Sequence, residues 1–172
     1  MREITLAPFT EEQYHVFFRG YRQDPLMTPD PFVYSEEQVS MSYRWNYGGF
    51  QQHYAHYGIF LDGVPVGSFQ LKRIDPETKT CEFGIILQHD GYKDRGIGTE
   101  AIRRGMRLAA DEFGVETVIG DTAGRNKRMQ RVFEKLGFEM TETIPDAFEL
   151  PDGTKDSCLI WRKTLKETEE TK

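Results

Sequence analysis

Between a predicted strand and a predicted amphipathic helix, the chain reads Tyr92-Lys93-Asp94-Arg95-Gly96-Ile97-Gly98-Thr99. Its two glycines permit close approach to the backbone, and the amides that open a helix have no partners inside it. These amides and the positive end of the helix dipole favour a bound phosphate group. Taken alone, the segment is equally compatible with an ordinary turn from a loop into a helix.

The residues before this loop predict antiparallel strands. Asp62-Gly63 is typical of a tight hairpin turn, and it separates the strand-like segments 57–60 and 64–71. A second turn at 76–79 leads to a third strand over 81–87, in which apolar side chains alternate with Glu82 and Gly84. The loop therefore follows three consecutive antiparallel strands.

The residues after the loop predict two helices and three more strands. Apolar residues recur at helical spacing from Gly98 to Phe113, and Gly114 ends that helix. A strand over 117–121, a helix over 126–136 and strands over 139–144 and 157–164 complete the order. Pro151-Asp152-Gly153 predicts the turn between the last two strands.

The first third of the chain predicts a short strand, over 2–8, and two helices. Thr10 and Ser35 each begin a capping-box pattern; the first helix is predicted to end near Gln23, and the second at Gly48. The predicted fold class is α/β (α+β), with a mixed, mostly antiparallel central sheet flanked by about four helices. We expect a single domain over residues 1–166 and a frayed tail over 167–172.

Composition narrows the class of protein. The 172 residues carry a net charge of -6, which argues against a general nucleic-acid binder and favours a cationic substrate. No stretch approaches the length of a membrane-spanning helix, and the start lacks the apolar segment of a secretory signal, so we expect a cytoplasmic protein without a membrane partner. Cys81 and Cys158 lie far apart and are predicted to be buried thiols rather than metal ligands.

Two other phosphate-binding motifs compete with this interpretation. The glycines, with Glu116 or Asp121 downstream, also fit a dinucleotide fingerprint, but in that fold they follow a strand almost at once, whereas residues 88–95 intervene here. A nucleoside-triphosphate loop needs Lys-Ser or Lys-Thr after its last glycine, and Thr99-Glu100 stands there instead.

The loop resembles the phosphate-binding motif of the GNAT N-acetyltransferases, Gln/Arg-x-x-Gly-x-Gly/Ala, with Lys93 at the first position. Asn126 followed by Phe133-Glu134-Lys135-Leu136-Gly137-Phe138 resembles the next motif of that family. The likeness is close over residues 57–138 and is most similar to the ribosomal-protein N-terminal and spermidine acetyltransferase branches. It implies an acetyl-CoA-dependent enzyme that transfers acetyl directly to an amine.

The resemblance also implies which residues bind acetyl-CoA. The backbone of Ile86, Leu87 and Gln88 would pair with pantetheine, and Asn126 would contact the same arm. The pyrophosphate would be held by Lys93, Asp94, Arg95, Gly96, Ile97, Gly98 and Thr99. Phe133 stands where many members have a tyrosine that acts as general acid, so it is expected beside the cofactor but cannot donate a proton.

Catalytic and acceptor residues are less sharply indicated. Glu82 on the third strand and Asp121 at the end of the next are the candidate bases, although either can equally be a structural carboxylate. The four histidines form no recognisable triad and are expected to be surface or satisfied residues. No metal site is predicted.

The acceptor site of the family is usually walled by its first two helices, where Tyr34 and Trp45 are our candidate substrate contacts, although packing in the core is the alternative for these aromatics. The expected acceptor is a small amine such as a polyamine or amino sugar. A protein N-terminus and a catalytically weak acetyl-CoA sensor are the alternatives, and a homodimer is expected by resemblance.

Overall fold

The computed structural model describes residues 2–24, 31–150 and 152–165, and within them a seven-stranded sheet carries four α-helices. The predicted tail at 167–172, and with it the domain boundary at 166, lies outside the described residues, as does Pro151 of the predicted turn. The elements in chain order are β1 Ile4–Ala7, α1 Glu11–Arg19, α2 Glu36–Tyr47, β2 Ala55–Leu61, β3 Val64–Asp75, β4 Thr80–Leu87, a short 3-10 helix Asp90–Tyr92, α3 Ile97–Phe113, β5 Thr117–Ala123, α4 Lys127–Lys135, β6 Glu139–Glu149 and β7 Lys155–Thr164.

The sheet confirms the predicted fold class. Its strand order is β1-β2-β3-β4-β5-β7-β6, and β4 and β5 form its parallel pair while the other neighbours are antiparallel. The hairpin between β2 and β3 turns at Asp62 and Gly63, whose φ angles are 49° and 81°. Both residues occupy the left-handed region, as a two-residue hairpin turn requires.

Local capping signals place the first two helices. The Thr10 side chain accepts from the Gln13 amide at 3.2 Å, and the Thr10 amide donates to the Gln13 side chain at 3.0 Å. The predicted end of α1 near Gln23 is wrong, because the helix stops at Arg19. Beyond Gly20 the chain turns toward the sheet, where the Arg22 amide donates to the Gln88 carbonyl at 2.7 Å.

β6 is longer than predicted. It continues past Ile144 to Glu149, although Pro145 is a residue that normally interrupts a strand. Its register against β7 shifts between Ile144 and Phe148, and Asp146 has a φ of 52°. β6 lies at the edge of the sheet, where a bulge can accommodate a proline that has no amide to donate.

The helices cover the two faces of the sheet unequally. α3 and α4 pack on one face, where buried side chains such as Phe69, Ile102 and Phe133 form the main core. α1 and α2 lie on the other face and form a smaller cluster that includes Phe17 and Phe60. In the part of the chain described, no helix is long and apolar enough to cross a membrane.

Candidate active site

The parallel strands β4 and β5 separate after a short paired region. Their register runs from Thr80 opposite Thr117 to Glu82 opposite Ile119 and then stops. Beyond that point β5 stays paired with β7 and β4 stays paired with β3. The result is a gap between neighbouring strands, in which backbone groups lack the partners that a continuous sheet would provide.

A cavity of about 540 Å³ lies along this gap. Its walls come from β3, β4, β5, the start of α4, the end of β6 and the start of β7. The lining residues include Ser68, Gln70, Lys72, Phe83, Gly84, Ile85, Ile86, Asp121, Thr122, Ala123, Arg125, Asn126, Met129, Ala147, Phe148, Glu149, Leu150 and Asp156.

One of the three residues Ile86, Leu87 and Gln88, at the end of β4, presents its backbone groups to the gap. The Gln88 amide donates to the Val66 carbonyl of the β3 side at 2.8 Å, and the Gln88 carbonyl accepts from the Arg22 amide. Backbone groups of successive strand residues point to opposite sides, so those of Ile86 point toward β3 and those of Leu87 point toward the gap. Among the three residues predicted to pair with pantetheine, Leu87 therefore has the suitable orientation.

The start of α3 leaves its first amides uncapped. Gly96 precedes the helix with a φ of 76°, and no side chain of the described residues caps it. The first helical backbone bond runs from the Glu100 amide to the Gly96 carbonyl, so the amides of Ile97, Gly98 and Thr99 have no partner within the helix. A β-carbon added to Gly98 would meet only Ile85, at 3.9 Å, so a ligand can approach closely there.

The charged side chains of the loop are differently engaged. Lys93 pairs with Asp24 at 2.5 Å and with Asp90 at 2.6 Å. Partial burial acts to lower the pKa of Lys93, but the hydrogen bonds and charges of the two carboxylates outweigh it and raise the pKa. Lys93 therefore fixes the loop to its surroundings and stays cationic.

Asp94 and Arg95 lie on the exposed side of the loop. Asp94 pairs with Arg128 of α4 at 3.2 Å. Arg95 donates to the Gly91 carbonyl at 3.3 Å and lies 5.8 Å over the Tyr92 ring, and it has no carboxylate partner within the described ranges. Of the loop cations, Arg95 is thus the one left available to an incoming phosphate.

Asn126 lies at the gap and also begins α4. Its side-chain oxygen accepts from the Met129 amide at 3.1 Å, which is an N-cap bond, and the residue lines the cavity beside Met129. Asn126 therefore caps α4. Its predicted contact with pantetheine remains a prediction.

Phe133 lies in the core rather than in the cavity wall. Its side chain is fully buried and stacks on Trp161 with ring centroids 5.1 Å apart. The far edge of the ring lies against Gly120, where an added β-carbon would come within 2.6 Å. The outer edge of the Phe133 ring therefore points to the place where β5 separates from β4. A phenylalanine has no hydroxyl group at that edge.

The two candidate bases lie in different surroundings. Asp121 is exposed and lines the cavity. Glu82 is 31% exposed, is not part of the cavity wall, and accepts a hydrogen bond from Arg73 at 2.9 Å. Because a general base must reach the proton that it removes, the geometry favours Asp121 over Glu82.

Tyr34 and Trp45, the predicted substrate contacts, do not line the cavity. The Tyr34 hydroxyl lies 2.7 Å from Nδ1 of His15, and the Arg19 guanidinium lies over its ring. Trp45 is 58% exposed and stacks on Phe50 at 6.0 Å. Their contact with an acceptor stays a prediction, and the structure assigns both side chains local packing partners instead.

A row of buried, hydrogen-bonded side chains that the sequence did not predict ends at the cavity. Tyr47 lies 2.8 Å from Nδ1 of His56, and Nε2 of His56 lies 2.8 Å from the hydroxyl of Ser68. The Tyr47 hydroxyl donates to the His56 carbonyl and accepts from the Phe9 amide. This arrangement places the imidazole proton on Nδ1, so Ser68 donates to Nε2.

These hydrogen bonds confirm that both ring nitrogens of His56 have partners, as expected of a satisfied histidine. Polar residues alternate with apolar ones along β3, at Ser68, Gln70 and Lys72. This pattern was the sign in the sequence that one face of the strand is polar and could line a site.

Burial lowers the pKa of His56 from 6.5 to about 4, so it stays neutral in the folded protein at neutral pH. The unfolded chain binds this proton more readily, and stability is therefore lost as pH falls from 6.5 toward 4. Between pH 7.5 and pH 5 we expect this group to lower the free energy of unfolding by about 2 kcal/mol. Urea denaturation of wild type and His56→Gln at both pH values isolates the effect, and parallel losses in the two proteins would contradict it.

The described residues contain no group of three or more potential metal ligands. Cys81 and Cys158 are both buried and free, as predicted. Burial raises the pKa of Cys81 to about 11, with Glu82 adding to the shift, so its thiol stays protonated at neutral pH.

A mixed sheet that splits between its parallel strands, next to a glycine-opened helix, defines an acetyltransferase-type fold. The family model for the acetyltransferase (GNAT) domain matches residues 3–139. The chain belongs to this family, whose members are acetyltransferases that use acetyl-CoA.

Individual relatives are distant. A human alpha/beta-tubulin N-acetyltransferase 9 is 22% identical over 156 residues, which cover 83% of this chain and 75% of that protein. A chimera of the spermidine N-acetyltransferase SpeG from Vibrio cholerae with hSSAT has a TM-score of 0.80 at 14% identity, covering 94% of this chain and 95% of that one. RimL, a ribosomal L7/L12 alpha-N-protein acetyltransferase solved with coenzyme A, has a TM-score of 0.76 at 17% identity, with 94% of each chain covered.

Proposed function

We propose that the protein binds acetyl-CoA along the gap between β4 and β5 and acetylates a primary amine that enters the cavity beside Asp121. One observation carries this proposal. β4 separates from β5 along its second half, and the next α-helix after β4 begins with uncapped amides. The amides of Ile97, Gly98 and Thr99, with Arg95, would hold the pyrophosphate. The outward backbone groups of Leu87 and the side chain of Asn126 would hold pantetheine.

When bound, acetyl-CoA supplies an activated acetyl group, and the residues of this chain position it and manage the amine proton. Asp121 would accept that proton, directly or through water, so that a neutral amine attacks. No tyrosine hydroxyl is available at Phe133 to protonate the leaving thiolate. Water in the open cavity is the proton source that we propose for this step.

The acceptor is proposed to be either a small amine or a protein N-terminus. The printed names of structural neighbours include both a spermidine and a ribosomal-protein acetyltransferase. Tubulin acetyltransferase 9 adds a second protein substrate among the relatives. A catalytically weak acetyl-CoA sensor is the further alternative, since Phe133 lacks an acidic group.

Calorimetry with acetyl-CoA followed by thiol release with a panel of amines tests the proposal. We expect saturable binding of acetyl-CoA with a micromolar Kd and turnover with at least one amine. Binding without turnover on any small amine or N-terminal peptide would support the sensor instead. Failure to bind either coenzyme A or acetyl-CoA would remove both functions.

A further inference from the structure

Lys72 places a positive charge in the wall of the cavity. It is partly buried, and its ammonium lies 3.5 Å from the position that a β-carbon on Gly84 would occupy. No carboxylate in residues 2–24, 31–150 or 152–165 forms an ion pair with it. A cation held at a partly buried site without a counter-ion favours an anion brought by a ligand.

The absence of a partner has a local cause in the register of β3 and β4. Glu82 is the direct cross-strand neighbour of Lys72 and would be its ordinary partner. Immediately after Lys72 the register shifts, and Arg73 adopts a φ of 49°. This bulge redirects the Arg73 side chain, which takes the Glu82 carboxylate at 2.9 Å.

Apart from the charges that pair with each other, the cavity wall carries Lys72 as its positive group and Asp121 as a negative group. Arg125 and Asp156 neutralise each other, since an Asp156 carboxylate oxygen accepts from the Arg125 amide at 3.1 Å and lies 3.8 Å from its guanidinium. Glu149 joins Asp121 on the acidic side of the cavity. β3 and β5 flank β4, so their backbones are separated by roughly 10 Å or somewhat more where the strands splay.

We propose that Lys72 binds an anionic group of the acceptor, so that the substrate is a primary amine carrying a carboxylate a few bonds away. This inference rests on the proposed function and specifies its acceptor. The amine would lie toward Asp121 and the anion toward Lys72. A linear polyamine would bring a second cation toward the Lys72 ammonium and is therefore disfavoured, despite the net negative charge of the whole chain.

Two sources can supply this chemistry, an acidic protein N-terminus and a free amino acid, and matched acceptors separate them. One pair is an N-terminal peptide with Asp as its second residue and the same peptide with Asn. The other pair is a small amino acid and its amide, and spermidine is the polyamine. Thiol release is measured for wild type, Lys72→Met, Lys72→Glu and, as a control outside the cavity, Lys135→Met, with the Kd for acetyl-CoA reporting an intact fold.

We expect wild type to prefer the acidic member of at least one pair by about 10-fold in kcat/KM, in the range of a charge pair at a partly desolvated site. Lys72→Met should remove that preference while leaving the neutral member and the Kd for acetyl-CoA unchanged. Lys72→Glu should reverse it and raise turnover of spermidine, whereas Lys135→Met should behave as wild type. The pair that shows the preference identifies the source.

Several outcomes would overturn the inference. One is equal turnover of the acidic and neutral members of each pair, and another is an equal loss for both members in Lys72→Met. A third is better turnover of spermidine than of either acidic acceptor. No turnover with any of the five acceptors, in protein that binds acetyl-CoA, would also reject this acceptor class. Loss of acetyl-CoA binding in wild type would instead defeat the proposed function itself.

Discussion

Replacing Asp121 with asparagine is expected to lower kcat about 100-fold while leaving the Kd for acetyl-CoA within about 2-fold of wild type. The substitution keeps the size of the side chain and removes its ability to accept a proton, and a positioned general base contributes about 10²-fold or more. Asp121 lines the cavity and is exposed to it, so neutralising it leaves no core group without a partner. Single-turnover thiol release at saturating acetyl-CoA measures the effect.

Glu82→Gln is the matched control for Asp121→Asn. Glu82 is on the adjacent strand and is also a carboxylate, but Arg73 holds it outside the cavity wall. We expect its kcat to stay within about 3-fold of wild type, since partly exposed ion pairs contribute little. A large loss in Glu82→Gln with normal turnover in Asp121→Asn would reverse the assignment of the base, and normal turnover in both would remove it.

Replacing Gly98 with aspartate is expected to weaken acetyl-CoA binding about 100-fold, or about 2.7 kcal/mol, without destabilising the protein. The new side chain has room, because only Ile85 lies within 4 Å of the added β-carbon. A carboxylate in the first turn and the loss of a helical glycine both stabilise α3. The same carboxylate would occupy and repel the position of the pyrophosphate. Calorimetry with acetyl-CoA and thermal unfolding measure the two opposite effects.

Gln38→Asp controls for the added charge. Gln38 lies in the first turn of α2, and its side chain is exposed and away from the cavity. This variant should bind acetyl-CoA as wild type does, and its stability reports the added carboxylate alone because no glycine is replaced. Unchanged affinity in Gly98→Asp would show that the start of α3 does not hold the pyrophosphate, whatever its family resemblance.

Phe133 shows how a motif position and a structural position can differ. The sequence aligned it with a residue that contacts the cofactor, whereas the structure places its ring among Phe83, Phe138 and Trp161 in the core. Its far edge nevertheless lies against Gly120, beside the split between the strands. Stacking on neighbouring aromatic rings alone holds the ring at this position, without a hydroxyl group.

The sequence predicted best those features that depend on neighbouring residues. The capping box at Thr10, the hairpin turn at Asp62-Gly63 and the glycine that opens α3 are decided within a few residues of chain, so their signals were legible in advance. The end of α1 and the continuation of β6 past Pro145 were not, because contact with Gln88 and a bulge against β7 decided them.

By itself, the amino-acid sequence determined the order of helices and strands and led to the prediction of a phosphate site at residues 93–99, since both follow from patterns over short spans. Only the tertiary structure decided which of the two candidate bases faces the cavity, and that the lysine in its wall has no carboxylate partner among the described residues. A bulge directly after Lys72 turns Arg73 toward the neighbouring strand, where Arg73 forms an ion pair with Glu82. Glu82 is thereby held outside the cavity wall and does not pair with Lys72. Pairing across strands depends on register, and register is fixed by the packing of the whole sheet.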